Sequence, residues 1–282
     1  MPPSTRWRRS WPTLLAYASV VVLLAYALFP VFWMVSTAVK PTNEIRTADP
    51  TFIPTQLSGE HFALVLWKSN FLVYVRNSLL VATTVTAATL VVSTLAGYSF
   101  SRFQRLPGIT AAGVGMIVGQ LVPGVLLVVP LYITMKNLGL LDSLWSLILT
   151  YTTFSVPLST LMLKGFFDQV PVEVEEAAEL DGCPSWQVVW RIALPLAVPG
   201  LMTTALYAFV QSWNEFLFGY TFISQDDLRT LTPGLADFIG IWTVDWGALM
   251  AAASLAVLPV TVAYLYLQRF LISGIATGAT KG

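Results

Sequence analysis

The sequence predicts an all-α membrane protein: six transmembrane helices, N- and C-termini both cytoplasmic, and a charged helix–turn–helix loop on the cytoplasmic side. Three observations predict it. Hydrophobic residues make up 56% of the chain and charged residues only 11%, with a mean hydropathy of +0.70, whereas a soluble domain carries about 25% charged residues. The apolar residues fall into six runs, each near the ~20 residues that cross a bilayer. The interval Pro171–Pro195 is different in kind, with Glu173, Glu175, Glu176, Glu179 and Asp181 in its first half. Each ionised acid at a helix centre in lipid costs roughly 2.5–3.5 kcal/mol, so this interval lies outside the bilayer.

The first run, 11–39, follows Arg6, Arg8 and Arg9. It exceeds the 7–15 apolar residues of a signal peptide and lacks a small-residue cleavage site, so it is expected to be a retained span, with Pro30 kinking it or marking its outer part. Residues 40–70 form a turn-rich outer loop with a helix expected over 59–68; its His61, the single histidine, is expected to be an ordinary surface residue. The second span, 71–100, is rich in Thr and Ser, which favour close helix packing in lipid. The third, 109–135, carries Pro123 and Pro130 and is expected to bend; its Gln120 needs a hydrogen-bond partner. The fourth, 144–167, holds Pro157 at its middle. The fifth, 199–223, contains Gln211-Ser212-Trp213-Asn214-Glu215, and Glu215 is the one acid that falls inside a span. The last, 247–271, follows an Asp-rich outer loop.

Basic residues set the orientation. With the N-terminus inside, nine of them lie on inner segments and six on outer ones, a bias in the positive-inside sense. The acidic interval 168–198 then lies in the cytoplasm.

That interval also reads as structured. Pro171 suits the first position of a helix, and the acids after it meet the positive end of the helix dipole. Gly182 is a natural left-handed stop. Pro184 opens a second short helix, which Pro195 is expected to end. On that helix Trp186, Val189, Trp190 and Ala193 recur at helical spacing as an apolar stripe, while Ala177 and Ala178 leave the first helix bare enough for another surface to approach.

Glu176-Ala177-Ala178, three residues, Gly182, nine residues, then Ile192-Ala193-Leu194-Pro195 resembles the EAA motif of bacterial ABC-importer permeases at every fixed position. Trp213-Asn214-Glu215-Phe216, with Leu217-Phe218, resembles the translocation-path helix of the MalG-type, carbohydrate-uptake branch. Asp245-Trp246-Gly247, Gln268-Arg269 and Gly278–Gly282 resemble the end of that subunit. The resemblance implies a multi-pass protein of the bacterial cytoplasmic (inner) membrane, surrounded by lipid. Its partners would be a second homologous permease, an ABC ATPase homodimer and an extracytoplasmic sugar-binding protein. Its cargo would be a di- or oligosaccharide or a related polyol. Glu176, Ala177, Ala178, Gly182, Ile192, Leu194 and Pro195 would form the ATPase-coupling loop. Trp213, Asn214, Glu215 and Phe218 would be candidates for the translocation path, and Thr280, Lys281 and Gly282 a tail toward the ATPase. For Glu215, substrate contact and a gating or packing role both stand.

Other classes are disfavoured. No Walker A spacing occurs, so ATP and Mg are expected on a partner chain and no cofactor on this one. One cysteine, Cys183, and one histidine leave no disulfide framework, metal site or His-based triad, so no catalytic residue is expected and the chain is not an enzyme. Zero net charge gives no basic surface for nucleic acid. The rival is a self-contained secondary transporter or channel using Glu215 as its intramembrane carboxylate; one such charge and no clear repeat speak against it.

Overall fold

In the computed structural model the backbone is described for residues 7–47, 49–240 and 243–278, and side chains are described for these apart from 7–10, 12 and 269–278. The helices, in chain order, are α1 Trp7–Ala38, α2 Thr42–Ile45, α3 Glu60–Lys68, α4 Phe71–Arg102, α5 Ile109–Gln120, α6 Gly124–Asn137, α7 Leu144–Phe167, α8 Val172–Leu180, α9 Ser185–Val188, α10 Leu194–Leu196, α11 Val198–Asn214, α12 Leu217–Phe222, α13 Leu231–Leu235 and α14 Trp246–Gly278. Among the described residues the β pairing is confined to an isolated bridge between Ile239 and Val244. Among the described residues four helices are long and apolar enough to cross a membrane, in α1, α4, α7 and α14. The number rises to six if each of two bent pairs, α5 with α6 and Ser185–Leu196 with α11, counts as one span.

The chain divides into two compact units. The first comprises residues 1–69 and 237–257. Its helix α1 runs through Pro30 without interruption, and its side chains from Thr13 to Phe32 are exposed. With no acid and no base in that stretch, this surface suits lipid. In the loop that follows α1 Glu44 accepts hydrogen bonds from the Thr51 hydroxyl and from the Thr55 amide and hydroxyl. The buried Lys40 ammonium donates to the Thr51 carbonyl and lies 4.9 Å from the Trp33 ring centroid. The helix expected near 59–68 is α3, but His61 is not a surface residue. It is 4% exposed and shares a buried face with Val65, one turn on. Gly247 makes the room, since a Cβ there would collide with the imidazole.

The second unit comprises residues 70–236 and 258–282. Its centre is the packing of α4 on α7, with α11 laid against both. Small residues permit the approach: a Cβ on Gly97 would stand 3.0 Å from Leu163 Cβ and from the Lys164 amide nitrogen. Thr89, Ser93, Ser146, Ser155, Ser159 and Thr160 are buried on α4 and α7, as small hydroxyl residues in membrane helix pairs are, while Asn77 and Ser78, also buried on α4, hold the 227–231 segment.

The stretch 109–135 is two helices, with 101° between α5 and α6. The turn falls at Leu121–Pro123, where Pro123 takes an extended ψ of 130°. Pro130 sits inside α6 without breaking it. Gln120 finds its partner by donating to the Phe154 carbonyl at 3.0 Å. The stretch 199–223 is likewise interrupted. Helix α11 stops at Asn214, Glu215 adopts φ −70°, ψ 126°, and α12 begins at Leu217.

Candidate functional site

Two places in the second unit bring the sequence-marked residues together. The first is the knuckle 171–197. Pro171, with ψ 130°, directs the chain into α8, and Gly182, at φ +88°, ends it. The Gly182 amide donates to the Glu179 carbonyl and the Cys183 amide to the Ala178 carbonyl, each at 3.0 Å, so the orphan carbonyls of the last turn are satisfied by a left-handed glycine stop. Pro184 then opens α9, and the Ser185 hydroxyl donates back to Glu179 at 3.0 Å.

The second helix does not end at Pro195. A π-helical turn, Val189–Ala193, follows α9, with the Leu194 amide bonded to the Val189 carbonyl, and α10 carries the helix through Pro195 to Leu196. Proline has no amide hydrogen and its ring crowds the carbonyl four residues back. Widening the preceding turn to π spacing accommodates both demands. The expected apolar stripe divides: Ala193 is buried and Val189 half-buried, whereas Trp186 and Trp190 are 62% and 53% exposed, and Val188, which lies outside the stripe, is buried. Ala193 joins Leu163, Phe167 and Ala197 in a small core completed by Tyr98, Leu194 and Leu201.

Within the motif, Glu176, Ala177, Gly182 and Pro195 are exposed, and Ala178, Ile192 and Leu194 half-buried. The neighbouring acid behaves oppositely. Glu175 is 6% exposed and is the one buried residue of α8. Its Oε1 accepts from Arg102 Nη2 at 2.6 Å and Nε at 3.0 Å, and its Oε2 from the Tyr98 hydroxyl at 2.8 Å. Beside it the Ser101 hydroxyl donates to Asp168 Oδ1 and Lys164 Nζ to Asp168 Oδ2, each at 2.6 Å. Burial pulls the Asp168 carboxyl up, but these hydrogen bonds outweigh it and leave the group below the ordinary aspartate range.

The second place is the break between α11 and α12. The Glu215 carboxylate accepts from the Phe218 and Gly219 amides, each at 3.1 Å, and from the Tyr151 hydroxyl at 2.5 Å. It satisfies amides that the start of α12 would leave unpaired. Glu215 and Asn214 line a cavity of about 380 Å³ with Tyr151, Tyr207, Gln211 and Phe216. Phe218 is buried and stacked on Phe154, with 5.3 Å between centroids. Those two rings also border a larger, mostly apolar cavity of about 750 Å³ lined by α5, α6 and α7. Trp213 does not face either cavity's lining. It is 4% exposed and stacked on Phe209, and its carbonyl accepts from the Thr232 hydroxyl. Thr280, Lys281 and Gly282 lie outside the described residues.

Residues 90–277 match the family described as binding-protein-dependent transport system inner membrane component. This chain belongs to that family. The permease is 36% identical to the diacetylchitobiose uptake system permease protein DasC of Streptomyces coelicolor over 97% of this chain and 98% of that one. It is 31% identical to the trehalose/maltose transport system permease protein MalG of Thermococcus litoralis over 95% of this chain and 97% of that one. A bacterial ABC transporter involved in the import of the acidic polysaccharide alginate has the same fold, with a TM-score of 0.78, 19% identity, and coverage of 95% of the permease and 99% of that chain. The permease is therefore a MalG-type ABC-transporter subunit and a multi-pass inner membrane protein. Four residues that now stand out were missed as site residues in the sequence: Tyr98, Arg102, Tyr151 and Glu175. Arg102 carried a signal only as an inner-side base and Glu175 only as one of five acids.

Proposed function

We propose that the permease is one half of the membrane channel of an ABC importer that moves a sugar, a di- or oligosaccharide or a related polyol, into the cell. In this reading it pairs with a second homologous permease, an ABC ATPase homodimer and an extracytoplasmic sugar-binding protein. Both of its termini are cytoplasmic. ATP and Mg are bound by the ATPase, and closure of that dimer displaces the knuckle. The displacement passes to α7 and α11, which flank it, and the path changes which side of the membrane it faces. Pro157 within α7 and Pro199 at the start of α11 are the bending points. Thr280, Lys281 and Gly282 reach toward the ATPase.

The observation that carries the reading is the near full-length similarity to sugar-uptake permeases, supported by a knuckle that leaves Glu176, Ala177 and Gly182 open for a partner. Ala178, Ile192, Leu194 and Pro195 hold its shape. For the path, Asn214 and Glu215 border the 380 Å³ cavity with Tyr207 and Gln211, so polar groups and aromatic rings there meet a sugar. Phe218 forms its wall, and Trp213 packs behind it. The secondary-transporter reading asks Glu215 to exchange protons, yet its carboxylate already accepts three hydrogen bonds.

The test is to purify tagged permease from its native membrane and identify what accompanies it. An ABC ATPase and a second permease are expected. The reconstituted complex is then offered diacetylchitobiose, trehalose, maltose and glycerol phosphate. Glu176→Lys is expected to abolish uptake while leaving the chain inserted. Uptake by the permease alone, without ATP, overturns the proposal.

A further inference from the structure

Helix α8 has almost no apolar hold on the rest of its unit. Val172 and Val174 are 44% and 43% exposed and Leu180 89%, and the one side chain that α8 buries is the Glu175 carboxylate. That carboxylate is gripped from the last turn of α4. Arg102 reaches it through two nitrogens, Tyr98 through its hydroxyl, and Arg102 Nη2 also caps the Val170 carbonyl at 3.0 Å. The grip extends to α7, because the Tyr98 ring stands edge-on to Phe167 at 5.5 Å and the Arg102 Nη1 group donates to Ser101, which in turn holds Asp168. The Arg102 and Glu175 side chains are 10% and 8% exposed.

A buried ion pair adds little net stability over a well-packed apolar contact, but breaking one partner leaves an uncompensated charge. A planar guanidinium shared between a carboxylate and a carbonyl also fixes geometry tightly. We propose that Arg102 and Glu175 are positioning residues that lock α8 to the cytoplasmic end of α4. Helices α4 and α8 then move as one body when the ATPase displaces the knuckle, and α4 carries the displacement into the membrane alongside α7 and α11. This rests on the reading of the knuckle as the ATPase-coupling loop. It adds a path through α4 that the chain order does not suggest, since α8 is joined covalently to α7 and α4 lies some seventy residues upstream.

The test uses the full complex with Cys183→Ser and spin labels at Val172→Cys on α8 and Phe103→Cys beside α4, both exposed positions. The separation is measured without nucleotide and after trapping with MgATP and vanadate, so the transported sugar need not be known. With Arg102 and Glu175 intact, the separation is expected to stay the same in both states. With Arg102→Met it should widen and broaden only in the trapped state, and Arg102→Lys should restore most of the fixed distance. A role confined to folding would lower yield in both states alike and leave no state-dependent change, which overturns the proposal. So does a change of separation on trapping with both residues intact. Should Arg102→Met not assemble, Glu175→Gln keeps the shape of the side chain and carries the same comparison. Failure of the unsubstituted permease to capture the ATPase is a separate result; it removes the coupling-loop reading, and this inference with it.

Discussion

The Tyr151 hydroxyl donates to Glu215 at 2.5 Å across the gap between α7 and the start of α12. An acid that the sequence places in mid-span is therefore a structural acceptor first, committed to two amides and a phenol. Its remaining freedom is the edge it turns to the 380 Å³ cavity.

Glu215→Ala should destabilise the permease by about 1–3 kcal/mol, because it strands the buried Tyr151 hydroxyl and the two α12 amides. Glu215→Gln keeps an acceptor oxygen and should cost less. Thermal unfolding in detergent checks the order. Uptake by the Gln variant should show the same pH profile as the unsubstituted permease; a pH profile that flattens in Glu215→Gln would restore the carboxylate to a proton-coupled role.

Asn77, 1% exposed, donates to the Asp227 and Arg229 carbonyls at 2.9 Å each, and the adjacent Ser78 hydroxyl accepts from the Leu231 amide at 2.7 Å. Asn77→Leu should remove both of these hydrogen bonds from a buried site, costing about 1–3 kcal/mol, and loosen the 226–231 segment from α4. Hydrogen exchange should rise there first. Unchanged protection would mean that Ser78 holds the segment unaided.

Gly97→Ala puts a methyl 3.0 Å from Leu163 Cβ and from a backbone nitrogen of α7. Backbone cannot yield as a flexible side chain can, so α4 and α7 must separate, at about 1–3 kcal/mol for overpacking. A lowered unfolding midpoint is expected. No change in midpoint would show that this helix pair is looser than its geometry requires.

Asp226 lies outside the spans, and its carboxyl is held below the ordinary aspartate range. The Tyr74 hydroxyl is the largest cause, burial opposes it, and Asn70 and Arg229 assist. A carboxyl depressed in the fold contributes stability above its unfolded value of about 3.9 and loses it as pH falls through the lower folded value. The gap in segment protection between the unsubstituted permease and Asp226→Asn should therefore be full at pH 7 and close in acid below about pH 4. A gap that persists in strong acid would count against the linkage.

Whatever depends on composition and near neighbours was legible in the linear chain. Apolar runs of spanning length dictate a helical membrane protein, because unpaired backbone groups are intolerable in lipid. The glycine stop at Gly182 and the helix after Pro184 also follow locally, and the motif from Glu176 to Pro195 was enough to place the chain in its family. Which side each residue faces and how each proline is absorbed depended instead on packing between distant elements. Glu175 and Glu176 are adjacent and chemically identical, yet about 100° apart around α8, and only the position of Arg102 on a distant helix makes one an anchor and the other a free face. The same holds for His61, which is buried because Gly247 leaves space for it. It holds for Pro195 as well, which a π turn absorbs while Pro123 marks a turn of 101° between helices. Burial and bending are set by what packs from afar, and a linear pattern carries no record of that.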